Sequence, residues 1–228
     1  MTTGAEFAAK FETCASRAGV TVTHTELELL FSYYELLTSW NEAVNLTGLP
    51  LVGYPDQTLD RLFIQPLVAA HVFPRSEVGW LDIGSGGGSP AVPLKVVRPK
   101  ARLIMTEPRQ RKVAFLREVV RTLALNDVDV IAKRVEEGRI PRGSIDLVTV
   151  RAVRLDDSLI KAVTACLNHQ GRLLSFGSDP APFLPRSEGS GFRQHPDSPL
   201  DLRGPAPQFT DPAPDSRRFV QLFVYDCR

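Results

Sequence analysis

The chain has 228 residues, 43% hydrophobic and 23% charged, which suits one ordinary domain with a packed core and argues against gross disorder. The formal net charge of +1 neither requires nor excludes a nucleic-acid partner. The three cysteines and four histidines lack the spacing of a metal site, so we expect reduced thiols and no bound metal. No apolar run can span a bilayer, so we expect no membrane contact. The N-terminus has no signal-peptide layout, so we expect a cytoplasmic protein.

The first third of the chain is predicted to be helical. Apolar residues recur every three or four positions between residues 26 and 44, which predicts one long amphipathic helix. Thr23 and Glu26 at its start have the spacing of a capping box. A shorter helix is expected before it and another over residues 56–72. Together these elements predict an N-terminal helical cap over residues 1–75.

Strand and helix patterns alternate in the middle of the chain. Strands are predicted for "GWLDI", "ARLIMTE", "DVDVIAK", "IDLVTVRAV" and "GRLLSF", and helices for "PAVPLKVVR", "RQRKVAFLREVVRTLAL" and "DDSLIKAVTACL". This alternation predicts an α/β fold whose mostly parallel sheet is flanked by helices, within a domain of residues 76–228. Ser89 and Pro90 are predicted as the N-cap and the first residue of the helix after the first strand.

A proline-rich segment interrupts this pattern. Nine of the 18 prolines lie between Pro180 and Pro214, so residues 178–216 are predicted to form a long loop or flap that resists regular structure. The alternating stretch "RRFVQLFVYD" then predicts a closing strand.

A glycine-rich loop follows the first predicted strand, in "LDIGSGGGSPAVPLK". Three of its glycines, Gly84, Gly86 and Gly88, alternate with other residues, and Asp82 precedes them. Glycine adopts positive φ and lets a ligand approach the backbone. In an open parallel sheet, ligands bind at the carboxyl ends of the strands. The loop therefore predicts a nucleotide-type ligand.

Two ligands compete for this loop. A dinucleotide loop has the form G-x-G-x-x-G, but Ser89 stands at the sixth position here. The pattern D-x-G-x-G-x-G is typical of Rossmann-like folds that bind S-adenosylmethionine, whose ammonium group Asp82 can meet directly or through water. Glu107, at the end of the second strand, suits the ribose hydroxyls. These features favour S-adenosylmethionine over NAD; an ordinary glycine turn beside a surface glutamate is the alternative.

Five segments together resemble one known family. The stretches "SWNEAVNLTGL", "LDIGSGGGSPAVPL", "EPRQRKVAFLREVVRTLAL", "KRVEE" and "VRAV" occur in an order that resembles the RsmG family, also called GidB, over roughly residues 21–177. The resemblance implies a Rossmann-like class I methyltransferase that uses S-adenosylmethionine to methylate guanine N7 in the 16S ribosomal RNA of the 30S subunit. Its most specific parts are the W-N-x-x-x-N-L-T segment and the G-x-G-x-G-x-P loop.

The resemblance also implies roles for individual residues. Gly84, Gly86 and Ser89 would line the cofactor, Glu107 would take the ribose, Val135 and Glu136 would lie at the adenine edge, and Arg151 would face the methyl-transfer cleft as the catalytic residue. A plain acid at a helix start is the alternative for Glu136. A solvated arginine at a strand end is the alternative for Arg151.

The chain departs from the family pattern on the substrate side. The family's R-H-x-x-D-S reads R-L-F-I-Q-P at residues 61–66, the serine of S-R-A is Val150, the lysine of L-K-G is Phe176, and the glycine after the loop proline is Ala91. These differences leave open a methyltransferase of the same fold with a small-molecule or other RNA substrate, or a non-catalytic cofactor-binding paralog.

An RNA partner would need a basic surface beside the cleft. Guanine N7 carries a lone pair and no proton, so its methylation needs no general base, and no His–Asp or Cys–His pattern is present. Candidate RNA contacts are Arg109, Arg111, Lys112, Arg117 and Arg121, with Lys95, Arg98, Lys100 and Arg102 nearby, although a solvated helix face is the alternative. Tyr33 is a candidate for base stacking, whereas helical spacing favours core positions for Tyr34 and Trp40. The oligomeric state is left open, with a monomer favoured.

Overall fold

The computed structural model describes residues 3–73, 78–138, 140–177, 192–194, 200–201 and 221–227. Its α-helices are α1 (Thr3–Arg17), α2 (His24–Val44), α3 (Asp56–Leu59), α4 (Gln65–Ala69), α5 (Ala91–Val97), α6 (Gln110–Thr122) and α7 (Asp157–Cys166). Its strands are β1 (Gly79–Ile83), β2 (Arg102–Thr106), β3 (Val128–Ile131), β4 (Ile145–Arg151), β5 (Leu167–Phe176), β6 (Phe192–Gln194), β7 (Leu200–Asp201) and β8 (Gln221–Cys227).

The described strands form one sheet in the order β3-β2-β1-β4-β5-β8-β6, and β7 pairs with β8. Strands β1 to β5 run parallel to their neighbours, while β8 is antiparallel to β5. The predicted α/β fold with a mostly parallel sheet is therefore confirmed. The strand order reverses between β1 and β4, which is the position at which open α/β sheets bind ligands.

Successive side chains of β1 enter different hydrophobic clusters. Trp80 belongs to a large cluster that also contains residues of α1, α2, α4, α5 and α6, whereas Leu81 packs with residues of α7. Both side chains are fully buried, as expected for a strand covered on both faces. The N-terminal helices thus share one continuous core with the sheet.

The predicted long helix and its cap are confirmed. The Thr23 hydroxyl accepts a hydrogen bond from the Glu26 N–H at 3.2 Å, and the Glu26 carboxylate accepts one from the Thr23 N–H at 2.7 Å. The helix ends where Asn45 takes a left-handed conformation with φ 53°. This capping box and left-handed residue define both ends of α2.

The helix predicted over residues 56–72 is present but not uniform. Between α3 and α4 lies a π-helical turn, Asp60–Ile64, and α4 is followed by a 3₁₀ turn, Ala70–Val72. A π-helical turn changes the direction of its carbonyl groups, and such turns occur often at functional sites. Periodicity alone did not predict it.

Two local predictions were wrong. Ser89 does not cap α5, because that helix begins at Ala91 after Pro90, and the Ser89 hydroxyl instead donates to the Leu62 carbonyl at 2.8 Å. Two short strands, β6 and β7, lie within the segment expected to resist regular structure. The rest of residues 178–216 lies outside the described residues, as do residues 217–220 of the closing strand, which is otherwise confirmed as β8.

Within the described ranges, no helix combines the length and apolar character needed to cross a membrane.

Candidate functional site

A cavity of about 1010 Å³ opens at the carboxyl ends of β1, β2 and β4. Its size suits a nucleotide-type ligand. It is lined by the glycine loop, residues 106–109 at the end of β2, residues 133–136 around the start of the 3₁₀ turn Val135–Glu137, residues 151–154 at the end of β4, and residues 46–49 after α2. The cavity therefore lies where the sequence predicted a ligand.

Two loop glycines are required by the backbone. Gly84 has φ +68°, and a Cβ there would lie 2.6 Å from Val153 Cγ2. Gly88 has φ +93°, and a Cβ there would lie 2.9 Å from Val92 Cγ2. Both positions combine a left-handed conformation with close packing, so neither accommodates a larger residue without strain.

Gly86 differs from these two glycines because a Cβ there would make only ordinary van der Waals contacts. A Cβ at Gly86 would meet nothing closer than the Gly84 carbonyl oxygen at 3.6 Å and Lys112 Nζ at 4.0 Å. Its N–H donates to Glu107 Oε2 at 3.0 Å. The loop backbone at Gly86 is thus held from one side and accessible to a ligand from the other.

Glu107 directly follows β2 and is 5% exposed. Its Oε1 accepts a hydrogen bond from the Arg109 N–H at 2.9 Å, while Oε2 accepts from Gly86. Each carboxylate oxygen can accept a second hydrogen bond, and Glu107 lines the cavity. The structure therefore brings two predicted site residues, Gly86 and Glu107, into direct contact.

Asp82 lies behind the glycine loop and does not line the cavity. It is 1% exposed, and its Oδ1 accepts a hydrogen bond of 2.5 Å from the Thr149 hydroxyl, which in turn accepts one from Trp80 Nε1 at 2.9 Å. Asp82 Oδ2 has no hydrogen-bond partner among the described residues. Burial raises the pKa of Asp82 to about 6, against the opposing effect of its hydrogen bonds. Gly88 likewise supports the loop without lining the cavity.

Arg151 ends β4 and contacts four segments of the chain. Its Nη1 donates to the Ser89 hydroxyl at 3.1 Å and to the Arg61 carbonyl, and its Nη2 donates to Gln65 Oε1 at 3.3 Å. The guanidinium carbon lies 4.5 Å from the centroid of the Phe176 ring. The predicted cofactor residue Ser89 and the predicted catalytic residue Arg151 are therefore in contact.

The Arg151 guanidinium experiences the charge of the buried Asp82 carboxylate but contacts no carboxylate within the described part of the chain. It forms no ion pair there, and its buried Nε has no hydrogen-bond partner. Burial, followed by the nearby charge of Arg61, lowers the pKa of Arg151 to about 9, which still leaves the side chain charged at neutral pH. The site thus presents a buried positive charge that has no carboxylate in direct contact and interacts with Asp82 at longer range.

The departures from the family pattern converge on this arginine. Gln65 accepts a hydrogen bond from Arg151, Phe176 lies against its guanidinium, and the Leu62 carbonyl accepts from Ser89. Leu62 and Gln65 lie in one segment, but Phe176, Ser89 and Arg151 are distant from it in sequence, so their common neighbourhood was not predicted. The other predicted cavity residues, Val135 and Glu136, both line the wall, the first buried and the second exposed.

Several predictions for side chains outside the loop are corrected by the structure. Tyr33 is fully buried and donates its hydroxyl to the Gly87 carbonyl at 2.5 Å, so its expected role as a base-stacking surface is wrong. Lys95 is also buried, and its Nζ donates to the Pro99 carbonyl at 2.9 Å and to the Ala101 carbonyl, so it is not available to RNA.

The other aromatic predictions are confirmed, and the remaining basic candidates differ in their surroundings. Tyr34 is 2% exposed, and Trp40 packs on Phe115 with ring centroids 5.8 Å apart. Arg98 donates to the Ala70 carbonyl at 2.7 Å, and Arg121 pairs with Glu118 at 2.6 Å. The exposed candidates that remain are Lys100, Arg102, Arg109, Arg111 and Arg117.

The cavity is lined by more basic than acidic side chains. The basic ones are Arg61, Arg109, Lys112, Lys133, Arg134, Arg151 and Arg154, and the acidic ones are Glu107, Glu136 and Asp156. A positive excess of this kind favours a polyanionic partner. Among the residues that the structure describes, no group of three or more His, Cys, Asp or Glu side chains is arranged to hold a metal.

The cavity wall formed by α2 and residues 46–49 was missed by sequence reasoning. It includes Tyr33, Leu37 and Leu46, which lie opposite the strand ends. These wall residues lie within or shortly before the W-N-x-x-x-N-L-T segment, which the sequence singled out without indicating that it lines the cavity.

Residues 26–179 match the family described as GidB, rRNA small subunit methyltransferase G. The chain belongs to this family. A ribosomal RNA small subunit methyltransferase G of Pseudomonas paraeruginosa is 37% identical over 140 residues, which are 60% of this chain and 62% of that protein. One from Helicobacter acinonychis is 36% identical over 149 residues, 65% of this chain and 80% of that protein. The match thus spans less than two thirds of the Pseudomonas relative's length.

Solved structures agree with the fold. A SAM-dependent methyltransferase from Aquifex aeolicus has a TM-score of 0.54 and 16% identity, and the match covers 75% of this chain and 93% of that one. A precorrin-6y C5,15-methyltransferase from Geobacter metallireducens has a TM-score of 0.52 and 15% identity, with coverage of 72% and 88%. At this identity the similarity concerns the Rossmann-like fold alone.

Proposed function

We propose that the protein is a cytoplasmic methyltransferase that uses S-adenosylmethionine to methylate guanine N7 in the 16S rRNA of the small ribosomal subunit. The observation that carries this proposal is the pairing of Gly86 with Glu107 at the wall of the cavity. Membership of the rRNA small subunit methyltransferase G family supports the substrate.

The donors and acceptors around the cavity fit such a cofactor. Gly86 offers accessible backbone, Glu107 has acceptor capacity for ribose hydroxyls, and Val135 and Glu136 form a wall suited to the adenine edge. The Asp82 carboxylate does not line the cavity, so it would favour a cationic methionine end through its charge or through water rather than by direct contact. When bound, S-adenosylmethionine supplies a methyl group already activated by its sulfonium.

The residues of this chain would contribute mainly by positioning the two reactants. Orientation alone can contribute about 7–11 kcal/mol to a reaction between two bound groups. Guanine N7 needs no general base, so a fixed cation such as Arg151 can serve by holding the acceptor through O6 of the base or through its phosphate, which leaves the N7 lone pair free to attack. The excess of basic side chains around the cavity would bind the RNA backbone.

In this proposal the chain divides into a helical cap, residues 1–75, and a methyltransferase domain, residues 76–228. The cap would close one side of the ligand site, because residues 46–49 line the cavity opposite the strand ends.

A second candidate is a methyltransferase of the same fold with another acceptor. The observation that favours it is the grouping of Leu62, Gln65 and Phe176 around Arg151 and Ser89. All three positions differ from the family pattern, so the acceptor side of the cavity is where this chain would differ in specificity.

Labelled methyl transfer tests both candidates. The purified protein is incubated with S-adenosylmethionine and either 30S subunits or naked 16S rRNA from a strain that lacks the family enzyme. Label at guanine N7 supports the first candidate. Cofactor binding with label only on other RNA or on a small-molecule panel supports the second, and binding without any transfer supports a non-catalytic paralog. Absence of cofactor binding by calorimetry contradicts all three.

A further inference from the structure

The turn after α2 is held by the side chain of Asn41. Its Oδ1 accepts hydrogen bonds from the Leu46 N–H and from the Thr47 N–H, both at 2.8 Å. The Asn45 N–H donates to the Asn41 carbonyl at 2.9 Å, and Asn45 takes the left-handed conformation that ends the helix. One side-chain oxygen therefore satisfies two backbone donors and fixes the path of the chain beyond the helix.

The segment Leu46–Leu49, which we call the α2 lip, packs against the glycine loop. A Cβ at Gly87 would lie 3.1 Å from the Leu46 carbonyl oxygen and 3.3 Å from Leu46 Cβ, so the two backbones are in close contact. The Tyr33 hydroxyl donates to the Gly87 carbonyl at 2.5 Å, which ties α2 to the same loop residue. The α2 lip and the loop thus support each other.

The α2 lip also faces the cavity. All four of its residues line the cavity wall. At Gly48 a Cβ would meet no atom within 4 Å, and the backbone there is not in the left-handed region. A side chain placed at Gly48 would therefore extend into open space without disturbing the packing.

We propose that Asn41 is a positioning residue of the cofactor site and that the α2 lip, which it holds, forms the second wall of that site. This inference rests on the proposed function for the identity of the cofactor. The physical reason is preorganisation: a wall fixed before binding does not have to be ordered by the ligand. In this view the W-N-x-x-x-N-L-T segment places Trp40 on α6, Asn41 under the turn and Leu46 against the loop.

Two substitutions at Asn41 test the inference. Asn41→Leu removes the acceptor, whereas Asn41→Asp keeps it, and no donor bond from Asn41 is involved. Calorimetry with S-adenosylmethionine should give about tenfold weaker binding for Asn41→Leu, since two hydrogen bonds that fix the wall are lost. Binding by Asn41→Asp should stay within about twofold of the wild type, because its carboxylate accepts the same bonds. Rescue by aspartate is the result that a loss of bulk packing would not produce.

The matched control is Asn168→Leu. Asn168 also accepts a backbone hydrogen bond, from the Gln170 N–H at 3.0 Å, and in addition donates to Asp146 Oδ1, but it lies in β5 at the end of the sheet away from the cavity. This variant should lose thermal stability and keep the wild-type affinity. Equal binding by Asn41→Leu and the wild type, or equal weakening by the leucine and aspartate variants, would overturn the inference.

If Asn41→Leu does not fold, a second pair of variants tests whether the α2 lip forms a wall of the cofactor site. Gly48→Phe should keep the wild-type melting temperature and lose at least about tenfold in affinity, because the ring occupies the cavity. Val52→Phe, at a side chain that is 91% exposed, is its control. Unchanged binding by Gly48→Phe would show that the α2 lip is not a wall of the site. Failure of the wild type to bind would instead overturn the proposed function together with this inference.

Discussion

The carboxylate of Glu107 and the backbone N–H of Gly86 are joined by a 3.0 Å hydrogen bond across the mouth of the cavity. Through its other oxygen, Glu107 also accepts from the Arg109 N–H at the start of α6. One side chain therefore fixes both the loop after β1 and the turn after β2. The part of the ligand site at these two strand ends is held by the protein in advance of the ligand.

Replacement of Glu107 should weaken cofactor binding more than it weakens the fold. In Glu107→Ala both backbone donors lose their acceptor, and we expect affinity for S-adenosylmethionine to fall by about tenfold or more. Glu107→Gln keeps the shape and one acceptor oxygen, but its amide group faces a backbone N–H, so its affinity should lie between those of the wild type and Glu107→Ala. Calorimetry measures the affinities, and equal binding by all three proteins would contradict this role.

Asp82 gives the protein a distinct pH dependence of stability. Its pKa is raised to about 6 in the folded protein by burial. Because the folded state binds this proton more tightly than the unfolded state does, the stabilising contribution of Asp82 is full below about pH 4 and is lost as the pH rises through about 6. The free energy of unfolding of Asp82→Asn relative to the wild type should therefore increase over this range, by at most about 3 kcal/mol.

Urea unfolding of both proteins at a series of pH values checks this prediction, since the difference between them cancels the other titrating groups. The indole N–H of Trp80 donates to Thr149, which contacts Asp82, so Trp80 fluorescence in a Trp40→Phe background gives a local signal. A difference in stability that does not vary with pH would contradict the assignment.

Features formed by residues close in sequence could be predicted from the sequence, whereas contacts between distant residues could not. The glycine loop, its strand and Glu107 were predicted because a strand, a turn and a helix are encoded by neighbouring residues. The bond from Ser89 to Leu62 and the contacts of Arg151 with Gln65 and Phe176 join distant segments, so no local pattern indicates them.

Lys95 and the π-helical turn are two further features that the sequence did not correctly predict. Lys95 lies among apolar residues in "AVPLKVV", a context that indicated burial, but its charge was given more weight. The π-helical turn Asp60–Ile64 has an apolar pattern that is also compatible with an α-helix, so periodicity could not distinguish the two.

Alanine substitutions at two loop glycines should separate stability from binding. Gly88→Ala places a Cβ 2.9 Å from Val92 Cγ2 at φ +93°, and we expect a loss of about 2–4 kcal/mol in the free energy of unfolding. Gly86→Ala has strain but no clash, so it should lose only about 1 kcal/mol while weakening cofactor binding, because its methyl group enters the cavity. Chemical unfolding and calorimetry distinguish the two effects.

Val92→Ala provides the control for the steric argument. In the Gly88→Ala background it removes the clashing methyl group, so the double variant should be more stable than the sum of the two single effects predicts. Additive effects would mean that the loss at Gly88 comes from backbone strain together with crowding against Tyr33, whose hydroxyl oxygen a Cβ would approach to 3.1 Å, and not from Val92.

Lys95 and Lys112 should differ in their effect on RNA binding. Lys95→Met leaves one buried and one partly buried carbonyl group without their donor and should destabilise the protein by about 1–3 kcal/mol, with no change in RNA affinity. Lys112→Met, at the cavity wall, should keep the stability and weaken RNA binding. The slope of log affinity against log salt should decrease by about one for Lys112→Met only. The same salt dependence for both variants would contradict the assignment of the RNA-facing surface.

The absence of a carboxylate in contact with Arg151, among the described residues, leads to the last prediction. Arg151→Lys keeps the charge but loses the two guanidinium nitrogens that donate to Ser89 and Gln65 at the same time. We therefore expect the rate of methyl transfer at saturating cofactor to fall about 100-fold. Gln65→Glu leaves the Arg151 guanidinium in place and supplies a carboxylate about 3.3 Å from its Nη2. The new ion pair would offset the positive charge, so the KM for RNA should rise with a smaller change in kcat. Arg172→Lys, at an arginine paired with Asp226 at 2.9 Å and outside the cavity, should keep wild-type kinetics. If Arg151 served only to hold the fold together, Arg151→Lys would lower the melting temperature and the rate in parallel, and Gln65→Glu, by adding an ion pair, would leave KM unchanged.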